Sequence, residues 1–166
     1  LVSAGKAYRD LRQGLADLGI DAVLAERYGL RLYKLGCTWP LEEKGVLEFA
    51  NGLDEILVIE EKRSFIESQL KEILFRDAQK GRTVPRVVGK QDENGAIALP
   101  LNGELTPALV SRFVAARVLP LLHDEAGRAL HDHILARLDY LDRKEGGLAK
   151  SGIIAVRQPY FCSGCP

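Results

Sequence analysis

The stretch DEILVIEEKRSFIESQLKEIL, residues 54–74, decides the fold. Ile56, Leu57, Val58 and Ile59 form an unbroken, β-branched-rich apolar run with no polar alternation, the signature of a strand covered on both faces. Ser64 and Glu67 stand at capping-box spacing, and Ile66, Leu70, Ile73 and Leu74 then recur at helical period. A doubly covered strand passing straight into an amphipathic helix predicts a parallel sheet whose crossovers are helices. The fold class that follows is α/β, a mostly parallel sheet with helices on both faces.

The flanking sequence repeats the alternation. Leu1 to Ala4 reads as the end of a strand, and Tyr8, Leu11, Leu15 and Leu18 form a helical stripe stopped by Gly19. Asp21 caps a short helix closing at Gly29, Leu30 to Leu35 reads as a strand, and Pro40 suits the first turn of a helix buried through Val46, Phe49, Ala50 and Leu53. Beyond residue 74, Arg86 to Lys90 reads as a strand and Asp92 to Gly95 as a turn. Thr106-Pro107 then reads as a cap with a first-turn proline before Val110, Phe113, Val114 and Val118. The doubly wound unit is expected to occupy residues 1–120. A charged helix from Asp124 to Lys144, striped by Leu130, Ile134, Leu138 and Leu141, serves as an outer brace or connector within 121–150 and is broken by Gly146-Gly147. Residues 151–166 would begin a following domain.

Composition bounds the function. A chain of 166 residues that is 46% hydrophobic can bury one substantial core. With 23 Lys and Arg against 23 Asp and Glu, it has no field of one sign to concentrate nucleic acid or an anionic membrane. No apolar run approaches the roughly 18 residues that cross a bilayer, and no charged-then-apolar segment resembles a signal peptide, so a cytoplasmic, soluble protein is expected. The chain has no Met and opens on Leu1 inside an apolar run, the expected look of an internal fragment.

Four constellations can carry chemistry. Ser3-Ala4-Gly5-Lys6 links a strand to a helix as a phosphate loop does, but Ala7 stands where a magnesium-binding hydroxyl belongs and no G-x-G-x-x-G accompanies it, so an ordinary strand-to-helix turn is favoured. Glu60-Glu61-Lys62-Arg63 falls at the C-terminal end of the central strand, the edge of an open α/β sheet where ligands and neighbouring domains sit. Lys6 and Cys37 should lie near that edge, and Lys6, Glu60 and Glu61 are candidate interface residues, against the alternative of solvated charges at a helix start. His123, Asp124, His131, Asp132 and His133 have the composition of a metal site. However, His131 and His133 point roughly 200° apart on a helix, whereas zinc pairs need a spacing of four, so a solvated face is expected. Cys162 and Cys165 form a C-x-x-C able to grip a metal or an iron–sulfur cluster, a zinc half-site, a redox dithiol or a pair of unligated thiols. Cys37 is the third cysteine, so Cys alone cannot supply four ligands within this chain.

Three stretches, VSAGKAYRDLRQGLADLGID, LRLYKLGCTWPLE with FANGLDEILVIEEKRSFIESQLKEIL, and RQPYFCSGCP, together resemble the 2-oxoacid:ferredoxin oxidoreductases, particularly the long fused indolepyruvate ferredoxin oxidoreductases. They cover most of residues 2–74 and the last ten residues, whereas 91–150 carries nothing diagnostic. The resemblance implies a transketolase C-terminal-like domain, lying between the pyrimidine-binding and diphosphate-binding domains of such enzymes. CSGCP is similar to the family's CPGCPH, so Cys162 and Cys165 would help hold a 4Fe-4S cluster. Ser163 replaces the usual Pro, and the His would lie beyond Pro166.

The family's segment that binds magnesium and diphosphate is absent, as is the glutamate that activates the thiazolium, so this segment is expected to be inactive by itself. The intact enzyme implied by the resemblance uses thiamine diphosphate, Mg2+ and 4Fe-4S clusters to decarboxylate a 2-oxoacid oxidatively. Its electrons pass to ferredoxin and its product is an acyl-CoA. This domain would contribute packing, homodimer contacts and contacts to other domains of the same polypeptide. Against this stand a noncatalytic scaffold or regulatory module with a terminal zinc or redox C-x-x-C, and a transketolase-type or 2-oxoacid dehydrogenase component, which has no need of CSGCP.

Overall fold

In the computed structural model, which describes residues 1–150 apart from the side chains of Ala126 and residues 148–150, every sheet pairing is parallel. The strands are β1 (Val2–Ala4), β2 (Tyr33–Leu35), β3 (Glu55–Ile59) and β4 (Arg86–Val88). They are joined by α1 (Gly5–Asp17), α2 (Ala22–Arg27), α3 (Glu43–Ala50) and α4 (Ile66–Ala78). The chain continues as α5 (Pro107–Val118), a 3-10 turn at Leu119–Leu121, and α6 (Glu125–Lys150). Strand order is β2-β1-β3-β4, with Val2 opposite both Tyr33 and Val58, and Glu55 opposite Arg86.

The central strand behaves as its composition requires. Leu57 and Ile59 face one core with Leu11, Leu15, Val110 and Val114 from α1 and α5. Ile56 and Val58 face a second with Val46, Leu70, Ile73 and Leu74 from α3 and α4. Both faces of β3 are therefore dry, which is why period-2 alternation is missing there. On the first face α1 and α5 cross at Gly14, where a Cβ would come within 3.3 Å of Ser111 Oγ, a tight approach that a side chain could make only if α5 gave way by a few tenths of an ångström.

Several local readings hold. Asp21 accepts from Leu24 N at 2.8 Å to cap α2, Thr106 accepts from Leu109 N ahead of Pro107, and Gly19 ends the α1 segment at φ +72°. Asp92 Oδ1 accepts from Asn94 N and Ala96 N, closing the predicted turn. Other readings are corrected. The buried stripe of α1 runs through Ala7 rather than Tyr8, whose ring is half-exposed beneath the Lys34 ammonium. The strand expected over Leu30–Leu35 pairs only from Tyr33, and that expected over Arg86–Lys90 ends at Val88. Pro40 precedes its helix instead of opening it, because the Glu42 carboxylate accepts from Lys44 N and Gly45 N and sets the start at Glu43.

The expected break at Gly146-Gly147 does not occur, since α6 runs through both glycines to Lys150. Solvated glycines cost about 1 kcal/mol each in a helix, and Arg112 grips this end of α6 through Asp142 at 2.7 Å and Glu145 at 3.0 Å. At its other end Asp124 accepts from Tyr28 OH, Arg27 and Gly127 N, while Leu130 and Ile134 enter the core shared by α1 and α5.

Two of these carboxylates set an acid limit. The Tyr28 hydroxyl and the Arg27 guanidinium hold Asp124 at about 2, against an ordinary 3.8. Arg117 holds Glu93 at about 2, against 4.5. Between about 2 and 4.5 the unfolded chain binds more protons than the folded one, so stability rises with pH there and is lost as pH falls. Urea midpoints measured from pH 5 down to pH 2 should fall, and less steeply in Asp124→Asn and Glu93→Gln.

Candidate functional site

β1 and β3 are neighbours, yet the chain leaves β1 towards β2 on one side, and leaves β3 towards β4 on the other. Their C-terminal ends therefore flank the topological switch point, where open α/β sheets place ligands. Ser3 Oγ donates to Ile59 O at 2.7 Å and fastens the two strands just below it.

The sequence-predicted residues meet at this point. Lys6 Nζ lies 2.8 Å from Asp10, 3.0 Å from Glu104 and 3.4 Å from Glu61, and donates to Leu105 O at 2.9 Å. Hydrogen bonding to Asp10 and then Glu104 raises its pKa above the ordinary lysine value. A phosphate would have to displace three carboxylates to reach it, so Gly5-Lys6 is the ordinary turn.

Glu60 is buried, 6% exposed. Its carboxylate accepts from Phe65 N at 3.1 Å, Ile66 N at 2.7 Å and Glu67 N at 3.0 Å, which are orphan donors at the start of α4. This corrects the Ser64–Glu67 capping box. The Ser64 hydroxyl pairs with Ser68 instead, and buried Glu67 bonds Lys71 Nζ and Lys90 N. A Cβ on Gly89 would overlap the Glu67 carboxylate, so glycine there admits the bond.

Lys90 was not singled out in the sequence. It is 4% exposed, and its ammonium donates to Glu60 O at 2.5 Å and Pro100 O at 3.1 Å. Burial lowers its pKa, opposed by the charges of Glu60, Glu67 and Glu61. Lys6 and Lys90 thus tie the 100–105 segment over the switch point, Lys6 through Leu105 O and Lys90 through Pro100 O. The chain's own 100–105 segment is hydrogen-bonded at the edge where this architecture ordinarily receives a small molecule. Two surface grooves of about 960 and 1000 Å³ are lined by neither Lys6, Glu60, Glu61 nor Lys90.

Beside the crevice the same edge is open. Cys37 is exposed there, its thiol 3.2 Å from Trp39 O. Trp39 is 65% and Phe65 43% exposed, with ring centroids 5.7 Å apart. Gln69 bonds Thr38 O and Leu41 N and binds this loop to α4. The signal available in the sequence was the chain's single Trp beside Pro40 in a polar loop.

His123, His131 and His133 do not converge. His131 pairs with its neighbour Asp132, His133 lies over Gly19, and Asp124 is engaged with Arg27 and Tyr28. Among the described residues no group of three or more His, Cys, Asp or Glu is placed to hold a metal ion, and no helix is long and apolar enough to cross a membrane. Cys162 and Cys165 lie outside the described residues.

A family model described as "Indolepyruvate oxidoreductase domain" matches residues 1–145. The "Indolepyruvate oxidoreductase subunit IorA" of Pyrococcus horikoshii is 32% identical over 71 residues, 43% of this chain and 10% of that protein. The chain therefore covers about a tenth of the length of this curated relative. No solved structure matches.

Proposed function

The chain belongs to the indolepyruvate oxidoreductase domain family, and from that premise we propose that it is a structural, non-catalytic domain of a thiamine-diphosphate-dependent 2-oxoacid:ferredoxin oxidoreductase. In this reading residues 1–120 are the transketolase C-terminal-like unit, 121–150 its connecting helix and 151–166 the start of the thiamine-diphosphate-binding domain. The observation that carries it is the family match across residues 1–145, on a sheet whose switch-point edge is spanned by hydrogen bonds to its own 100–105 segment.

The described residues do not fit the cofactors of such an enzyme. The N-terminus of α4, the natural seat for a diphosphate at this edge, is filled by the Glu60 carboxylate, and Lys6 is already neutralised. In this reading thiamine diphosphate and Mg2+ would be held by other parts of the enzyme, and no catalytic step is assigned to residues 1–150. What those residues do is hold a rigid edge: Glu60 orders α4, while Lys6 and Lys90 pin the covering segment. The intact enzyme, a cytoplasmic homodimer, would convert an indolepyruvate-like 2-oxoacid to its acyl-CoA and pass electrons to ferredoxin.

Cys162 and Cys165 would ligate a 4Fe-4S cluster, with the remaining ligands elsewhere in the enzyme. Anaerobic iron–sulfur reconstitution of the intact enzyme, with Cys162→Ser and Cys165→Ser compared to wild type by iron content and absorbance, tests this. Loss of one cluster in each variant is expected. Unchanged iron, or stoichiometric zinc, would overturn the reading and put a scaffold or regulatory module with a terminal zinc or redox C-x-x-C ahead.

A further inference from the structure

We propose that Trp39 and Phe65, together with the exposed Lys62 and Arg63 of the loop that carries Phe65, form the surface through which this domain docks on an apolar, carboxylate-bearing face of the adjoining part of the same enzyme. The inference rests on the reading of the chain as one domain of a larger oxidoreductase, and names where that domain is held.

Aromatic exposure comes first. Two large rings from different loops, one after β2 and one after β3, are brought together at the C-terminal edge and left in solvent. Nothing internal requires this, because the core on this face is already closed by Leu41, Ile66 and Leu70. Neighbouring exposed aromatics with an arginine beside them have the composition of a protein–protein hot spot.

Charge states the partner. Several other cations around this edge are engaged: Lys6 by Asp10, Glu61 and Glu104, Lys71 by Glu67, Lys90 by two carbonyls, and Lys34 by the face of the Tyr8 ring. Lys62 and Arg63 are exposed, and neither side chain makes an ion pair among the described residues. Two unmatched cations beside an apolar centre complement a face with apolar side chains inside and carboxylates at its rim. An isologous contact with a second copy would gather the unmatched cations of both copies into one interface, which like-charge repulsion disfavours.

Backbone strain is the third observation. Lys62 adopts φ +56°, a left-handed conformation that is strained for a non-glycine residue. Such strain collects where a side chain must be presented in one direction. A glycine would relieve it but would remove the cation.

The test is hydroxyl-radical footprinting of the intact enzyme, read by mass spectrometry on the peptides carrying Trp39 and Phe65. The native enzyme is compared with the same enzyme unfolded in denaturant and with a Lys62→Glu/Arg63→Glu double variant. A several-fold slower oxidation of both rings in the native enzyme is expected, largely restored to the unfolded rate by the charge reversal while the peptide carrying buried Phe113 and Val114 stays protected. Oxidation of Trp39 at the unfolded rate in the native enzyme would overturn the surface. Protection that survives the charge reversal would overturn the acidic partner, and protection lost on dilution to monomers would assign the face to a second copy instead. Iron content and 2-oxoacid turnover are read separately. Their absence with the rings still protected would remove the enzymatic reading and leave the docking surface standing.

Discussion

Glu60→Ala is expected to lower the unfolding free energy by about 3 kcal/mol, since removing the partner of buried donors costs about 1–3 kcal/mol and loss of a helix cap about 1 kcal/mol. The carboxylate serves three backbone N–H groups, and those of Ile66 and Glu67 are buried. No water can replace it there without opening the junction between β3 and α4. Glu60 also opposes the desolvation of Lys90, so its removal leaves a buried ammonium with less compensation. Glu60→Gln keeps the shape and one acceptor oxygen and should lose about half as much. Ser64→Ala should change stability by no more than about 0.5 kcal/mol, because its hydroxyl meets only Ser68 and carries no cap. Urea denaturation of the three variants separates the schemes. A reciprocal Ser64–Glu67 cap predicts a clear loss in Ser64→Ala and little in Glu60→Ala, the reverse of the order expected from the structure.

Ile134→Ala is expected to cost about 3 kcal/mol, within the range for emptying a buried aliphatic site. Ile134 is 0% exposed, in one core with Leu18, Val114 and Leu130. Around it Arg137 bonds Asp17 at 2.8 Å, and His133 lies against Gly19. A helix serving only as a connector would tolerate the change within about 0.5 kcal/mol. Its neighbour Leu135, 46% exposed, should tolerate alanine to that extent and serves as the internal comparison. A small loss in both would show that α6 is not part of the folding unit. Thermal unfolding that remains a single transition in Ile134→Ala, at a lower midpoint, is the expected observation.

Some periods, caps and turns were legible in the amino-acid order because each rests on groups a few positions apart, although the Ser64–Glu67 cap, equally local, was misread. The β3 run, the stripes of α4 and α5, the Asp21 and Thr106 caps and the Asp92 turn are of this kind. The switch-point site was half legible. Glu60, Glu61 and Lys6 could be placed on one edge from strand direction alone, and the resemblance to the 2-oxoacid:ferredoxin oxidoreductases agrees with the family found.

What tertiary structure alone decided is which neighbour each charge takes. Lys90 meets a carbonyl 30 positions away, Lys6 one that is 99 away, and Arg137 a carboxylate 120 away, separations that no local pattern encodes. The sequence by itself determined a parallel α/β layer, because the apolar period of a strand or helix is written in consecutive residues. Folding in three dimensions decided that Glu60 caps α4, that two lysines tie down the 100–105 segment, and that Trp39 and Phe65 share one exposed edge. Those outcomes depend on how separate elements stack, and burial and distance exist only once they do.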